Sequence, residues 1–112
     1  MKKLSNFYRV SQGNRRFLEN RLQSLKLVKL PDGRYDVIGD VNFSGLDLNS
    51  LLEIPIKIRK VTGSFNCDTN YLTSLEGAPK HVGGDFYCWG NPKKFTEAEV
   101  RKLVNVRGKV MA

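Results

Sequence analysis

Three segments of this chain align on a valine, a glycine and an alternating run of strand residues. They are Val37-Ile38-Gly39-Asp40-Val41-Asn42-Phe43, Val61-Thr62-Gly63-Ser64-Phe65-Asn66-Cys67 and Val82-Gly83-Gly84-Asp85-Phe86-Tyr87-Cys88. The shared glycines Gly39, Gly63 and Gly84 step by 24 and then 21 residues. A period of that length marks stacked units, since a single unit cannot bury its apolar face without a neighbour. Such a stack constrains shape far more than function, because its surface, and not its core, meets a partner.

Within each copy the two-residue period of a strand assigns Val41 with Phe43, Phe65 with Cys67 and Phe86 with Cys88 to one inward face. Asn42, Asn66 and Tyr87 then form an outward row on a short parallel sheet. Leu48, Leu51 and Ile54 correspond to Leu72, Leu75 and Ala78, followed by Pro55 and Pro79 in the same register, and close the back of each coil. Cys67 and Cys88 occupy the same place in successive copies and should be neighbours. In a cytosolic protein two reduced, buried thiols are the expectation, with a disulfide as the alternative.

The ends read as caps. Phe17, Leu18, Leu22 and Leu25 fall on one face at helical spacing, with Asn14 placed to cap the helix and Arg15, Arg16 and Arg21 on the opposite, solvated side. Residues 25–30, Pro31-Asp32-Gly33 and Tyr35-Asp36-Val37-Ile38 read as a hairpin covering the first coil. At the other end Thr96 and Glu99 form a capping box with Phe95 and Val100 as its hydrophobic staple. The helix that follows turns Val100, Leu103 and Val104 toward the last coil, and residues 106–110 are placed to add a final strand.

Charge is unevenly distributed over the 112 residues: residues 1–34 hold nine Lys or Arg against two acids, and residues 35–112 hold ten against nine. The first third therefore carries +7 of the formal +8, a field suited to an acidic partner or, equally, to a solubilising cap. No apolar run reaches the length of a membrane span, and Met1-Lys2-Lys3-Leu4 is not followed by a signal-peptide core, so no membrane partner and a cytoplasmic location are expected.

Residues 72–88, Leu-Thr-Ser-Leu-Glu-Gly-Ala-Pro-Lys-His-Val-Gly-Gly-Asp-Phe-Tyr-Cys, resemble a leucine-rich-repeat-like unit of small proteins of bacteriophages and prophages, whose coil reads LTSLEGAPKxVGGDFxCxxN. The opening from Asp40 to Leu48 and the helix start at Phe95-Thr96-Glu97 are similar to that family too. The resemblance spans residues 36–110. It implies the fold, a phage origin and a host-cytoplasm location, but no catalytic residues. Two departures stand out: only about three coils, and a basic N-terminal segment without counterpart.

The expected fold is therefore an α+β repeat protein: a short leucine-rich-repeat-like solenoid of about three coils with a parallel sheet, an N-terminal helix-plus-hairpin cap and a C-terminal helix cap. One domain spans residues 1–112, divided into the cap (1–36), the coils (37–94) and the C-terminal helix and strand (95–112). Neither a nucleophile with its base nor a metal cluster occurs at a telling spacing. His81 reads as a solvent-facing loop residue, Asp40 and Asp85 as turn residues, and Gly83-Gly84 as a bend. No enzyme activity, cofactor or metal is expected. The partner-binding residues are the basic Arg15, Arg16, Arg21, Lys26 and Lys29 and the aromatic Tyr71, Tyr87 and Trp89, although Trp89 packing beneath the C-terminal helix is an equal reading.

The leading function is a non-enzymatic phage protein that binds and inhibits or redirects a host protein of defence, transcription or nucleic-acid processing. The alternative is nucleic-acid binding through the basic N-terminal segment, and a third is sequestration of a small anionic nucleotide signal. An exposed sheet edge leaves homodimerisation open.

Overall fold

A computed structural model describes residues 12–112; Met1-Lys2-Lys3-Leu4 lies outside them. In chain order the elements are helix α1 (Gln12–Gln23), strands β1 (Lys26–Lys29), β2 (Tyr35–Ile38) and β3 (Val41–Asn42), a 3-10 turn (Leu51–Glu53), and strands β4 (Ile58–Val61), β5 (Phe65–Asn66), β6 (His81–Val82) and β7 (Phe86–Tyr87). Helix α2 (Glu97–Leu103) and strands β8 (Asn105–Val106) and β9 (Val110–Met111) complete the chain. Sheet A has the order β1-β2-β4-β6-β8 and sheet B the order β3-β5-β7-β9. All pairings are parallel except the β1–β2 hairpin, so this is an α+β protein with parallel sheets of repeating strands.

Each repeat copy contributes one strand to each sheet, and the shared glycine turns the corner between them. Val37, Val61, Val82 and Val106 pair in sequence across sheet A, while Val41, Phe65, Phe86 and Val110 do so across sheet B. The series is thus one copy longer than the three read from the sequence. Val106-Arg107-Gly108-Lys109-Val110 repeats the valine-glycine pattern 24 residues after Gly84, and its two short strands join different sheets where a single strand was expected.

The corner glycines answer a close approach of backbones. Gly63, Gly84 and Gly108 each donate an N–H to the corner carbonyl of the preceding copy at 2.8–2.9 Å. A Cβ on Gly84 would lie 2.9 Å from the Gly63 carbonyl carbon, and one on Gly108 would lie 2.6 Å from the Gly84 oxygen. Alongside runs a side-chain ladder: Asp40 accepts from Ser64 N–H, Ser64 Oγ from Asp85 N–H, and Asp85 from Lys109 N–H. The aspartates are thus tied to backbone donors at the turns, as their repeat positions imply.

The core lies between the two inner faces. Phe43 meets Phe65 edge-on at 6.0 Å and Phe65 meets Phe86 at 5.4 Å, an aromatic column worth more than its buried area alone. Cys67 and Cys88 extend the inner face as buried free thiols. Two side-chain amides, buried Asn70 and half-buried Asn91, tie the ends of the sheet B strands together. Asn70 accepts from the N–H groups of Leu46 and Leu48 and donates to the carbonyls of Phe43, Cys67 and Asp68. Asn91, one copy on, accepts from Leu72 N–H and donates to the carbonyls of Cys67 and Cys88.

The caps differ from expectation in detail. Helix α1 already includes Asn14, so its start lies N-terminal to that residue. Leu18 is fully buried and Leu22 and Leu25 are partly so, whereas Phe17 is 56% exposed. The helix meets the stack along a narrow stripe at i, i+4 and i+7, and Phe17 stands about 100° round from Leu18, outside it. In α2 the capping box forms as read, with Val100 and Val104 buried, but Leu103 is 56% exposed for the same angular reason. The hairpin forms with Gly33 in its turn at φ +90°. His81 lies on strand β6 and not in a loop.

Candidate functional site

The residues singled out from the sequence fall on two separate parts of this frame. On α1, Arg15 is half-buried and Arg16 exposed. Arg21 does not face solvent as its helical position implied: its guanidinium donates to the carbonyls of Asn42 (2.8 Å) and Ser44 (3.4 Å), fastening the helix to the first strand of sheet B. Lys26 and Lys29 are exposed on β1, the edge strand of sheet A. Their partners Ile38 and Tyr35 lie in alternate register on β2, so the two lysines point to opposite faces of the hairpin.

Of the aromatic set, Tyr87 lies on the outer face of sheet B, and Trp89 and Tyr71 lie in the turns beyond its strands. Tyr87 is the direct neighbour of Met111, and Cys88 N–H donates to the Met111 carbonyl, so the strands stay in register past Tyr87. Trp89 follows two residues after Tyr87. It is 49% exposed and Met111 41%, and Tyr71, beyond the end of β5, is 55% exposed. Trp89 therefore does not fill the core beneath α2; Phe95 and Val100 take that place. Tyr87 is half-buried and donates its hydroxyl to Asp85 at 3.3 Å. Desolvation, reinforced by the Asp85 carboxylate, raises its pKa and keeps the phenol protonated. Sequence reasoning missed Met111, which only the fourth copy brings beside Tyr87.

Next to this patch the backbone is held in an unfavourable conformation. Gly45, Thr69 and Gly90 occupy equivalent places after the sheet B strands with φ of +66°, +54° and +72°. Two are glycines; the β-branched Thr69 is the exception. Its N–H donates to the Trp89 carbonyl at 3.0 Å, which ties the turn carrying Tyr71 to the turn carrying Trp89.

The outer face of sheet A carries a second, different surface. The residues flanking the inward valines form two rows, Asp36, Lys60, His81, Asn105 and Ile38, Thr62, Gly83, Arg107. A bulge between β2 and β4 turns Arg59 outward as well, where it clasps Asp36 with two hydrogen bonds of 3.0 and 2.5 Å. That bond holds the Asp36 carboxyl below its usual range and raises the guanidinium. Asn105 Nδ2 lies 3.4 Å from His81 Nδ1. Gly83 leaves a hollow of about 340 Å³ between these side chains.

This basic face was hidden by composition. Residues 35–112 are nearly balanced in charge, but on this face the one acid, Asp36, is taken by Arg59, while Glu97 pairs with Arg101, Glu99 with Lys93, and Asp40, Asp85 and Glu53 accept from backbone N–H groups. The detectable signal lay in the residues flanking the repeat valines, Asp36, Lys60, His81 and Asn105 before them and Ile38, Thr62, Gly83 and Arg107 after them, which carry one acid against Lys60 and Arg107.

Cys67 and Cys88 are not poised for reactivity, since burial pushes both thiols up, Cys88 to about 11. Among the described residues no group of three or more His, Cys, Asp or Glu is placed to hold a metal ion, and no helix is long and apolar enough to cross a membrane. Comparison of the chain with protein-family models, with curated proteins and with solved structures found no match.

Proposed function

We propose that this chain is a short leucine-rich-repeat-like solenoid of phage or prophage origin that works as a non-enzymatic binding module, gripping a host protein and inhibiting or redirecting it. The observation that carries the reading is the outer face of sheet B, where Tyr87 pairs with Met111, exposed Trp89 follows Tyr87 on the same side of the chain, and exposed Tyr71 stands in the turn that Thr69 ties to Trp89. Exposed Trp, Tyr and Met are the residues that protein interfaces concentrate at their centres. The strained Thr69 beside them fits a turn shaped for contact more than for stability.

The test is capture from host lysate with tagged full-length protein, after nuclease treatment, in wild-type and Trp89→Ala forms. A stoichiometric protein retained by the wild type and lost from the variant supports the module. Capture that disappears with nuclease, or that ignores Trp89, defeats it. Nucleic-acid binding through the N-terminal segment is less favoured, because Arg21 is committed to carbonyls and Lys26 and Lys29 point to opposite faces.

A further inference from the structure

We infer that the outer face of sheet A is a separate binding surface for the sugar-phosphate backbone of duplex nucleic acid, centred on the hollow over Gly83 and contacted by Lys60 and Arg107. Among the described residues, Lys57, Lys60, Lys80 and Arg107 take part in no ion pair. No acidic residue lines the Gly83 hollow. A separate hollow of about 270 Å³, which shares no lining residue with the first, holds Arg34, Lys57 and Lys80 together with Glu76. Unpaired cations on one sheet face pay little desolvation penalty until a polyanion arrives, and counterion release then drives association.

Charge complementarity alone would also admit an acidic protein. Three observations favour phosphodiester. The centre of this face holds no exposed aromatic or methionine side chain, residue types that protein interfaces enrich at their core. Nucleic-acid interfaces are the more polar and more positively charged class. The glycine floor and the Asn105 amide suit an oxygen-rich backbone approaching closely. Bases stacked on aromatic rings characterise single-strand binders, and this face offers no such platform, so the duplex backbone is the fitting occupant. Sequence preference is not expected, since the contacts are to phosphates.

Fluorescence anisotropy with the full-length protein and a labelled mixed-sequence duplex of about 20 base pairs, titrated from about 50 to about 200 mM salt, reads this directly. Two phosphate contacts, from Lys60 and Arg107, predict a log–log slope of about −1.8, an affinity loss of roughly tenfold across that range. The Lys60→Gln/Arg107→Gln variant should reduce the slope by about 2, and Asn105→Asp should weaken binding without altering the thermal midpoint. Arg15→Gln/Arg16→Gln and Trp89→Ala should leave duplex binding intact, which separates this surface from the N-terminal segment and from the aromatic patch. Absence of duplex binding at the lowest salt, an unchanged slope in Lys60→Gln/Arg107→Gln, or equal affinity for poly-glutamate would overturn the assignment.

Discussion

Sheets A and B are made from the same four repeat copies and fill one core between them, and their inner faces obey one rule. The paired inward positions around each corner glycine are Val, Phe or Cys, stacked copy upon copy, with Ile58 added at the start of β4. Outside, the two diverge. Sheet A sets Arg59, Lys60, His81 and Arg107 around a glycine floor, while sheet B sets Asn42, Asn66, Tyr87 and Met111 in a row with Trp89 beyond. Both outer faces are free of the packing that dictates the inner ones. The stack therefore separates the residues that hold it together from those available for recognition, and a substitution should act on stability or on binding according to which side of the strand it occupies.

The largest effect that would break this division lies in the aromatic column. Phe65→Ala removes the ring that touches both Phe43 and Phe86 and should cost about 3–5 kcal/mol in denaturant unfolding. Next comes Asn70→Ala, which strands the Leu46 and Leu48 N–H groups and the Phe43 carbonyl; a loss of about 3 kcal/mol is expected, more than for Asn91→Ala, whose amide is less buried.

The thiols give a pH signature of the inner face. Cys88 titrates at about 11 in the fold against an ordinary 9.0, so the native state holds the proton more tightly than the unfolded chain. Stability should be level with respect to this group below about pH 9 and decline as pH rises from there through about 11. Cys67 shifts in the same direction. An unfolding series at alkaline pH checks this, and Cys88→Ala should flatten the decline.

Smaller still is the strained turn: Thr69→Asn places a residue tolerant of positive φ at +54° and should raise stability by about 0.5–1 kcal/mol. At the bottom of the scale, Trp89→Ala on sheet B and Lys60→Gln on sheet A should each move unfolding by less than about 0.5 kcal/mol, while Trp89→Ala abolishes capture of the protein partner and Lys60→Gln lowers the duplex salt slope by about 1. A large stability loss at either position would dissolve the distinction between the two sides.

Legibility from the sequence followed the same division. The inward columns, the hairpin turn and the α2 capping box were all readable, because each rests on residues close in sequence or on a period repeated copy after copy. The fourth copy was missed because Lys109 follows its corner glycine where the others carry Asp40, Ser64 and Asp85, and Ala112 stands where they carry Phe43, Cys67 and Cys88. The commitment of Arg21 was missed because a carbonyl acceptor twenty-one residues away leaves no mark on a helical wheel.

What the sequence determined by itself was the stacking of units, since burial of one repeating apolar face requires a similar neighbouring unit to cover it. What only the tertiary structure decided was the character of the surfaces. Pairing of strands β4, β6 and β8 gathers Lys60, His81, Asn105 and Arg107 from separate copies, while the acids that balance them in composition turn to backbone donors or to Arg59, Lys93 and Arg101. Electrostatic potential depends on distances through space, and those distances exist only once the copies have stacked.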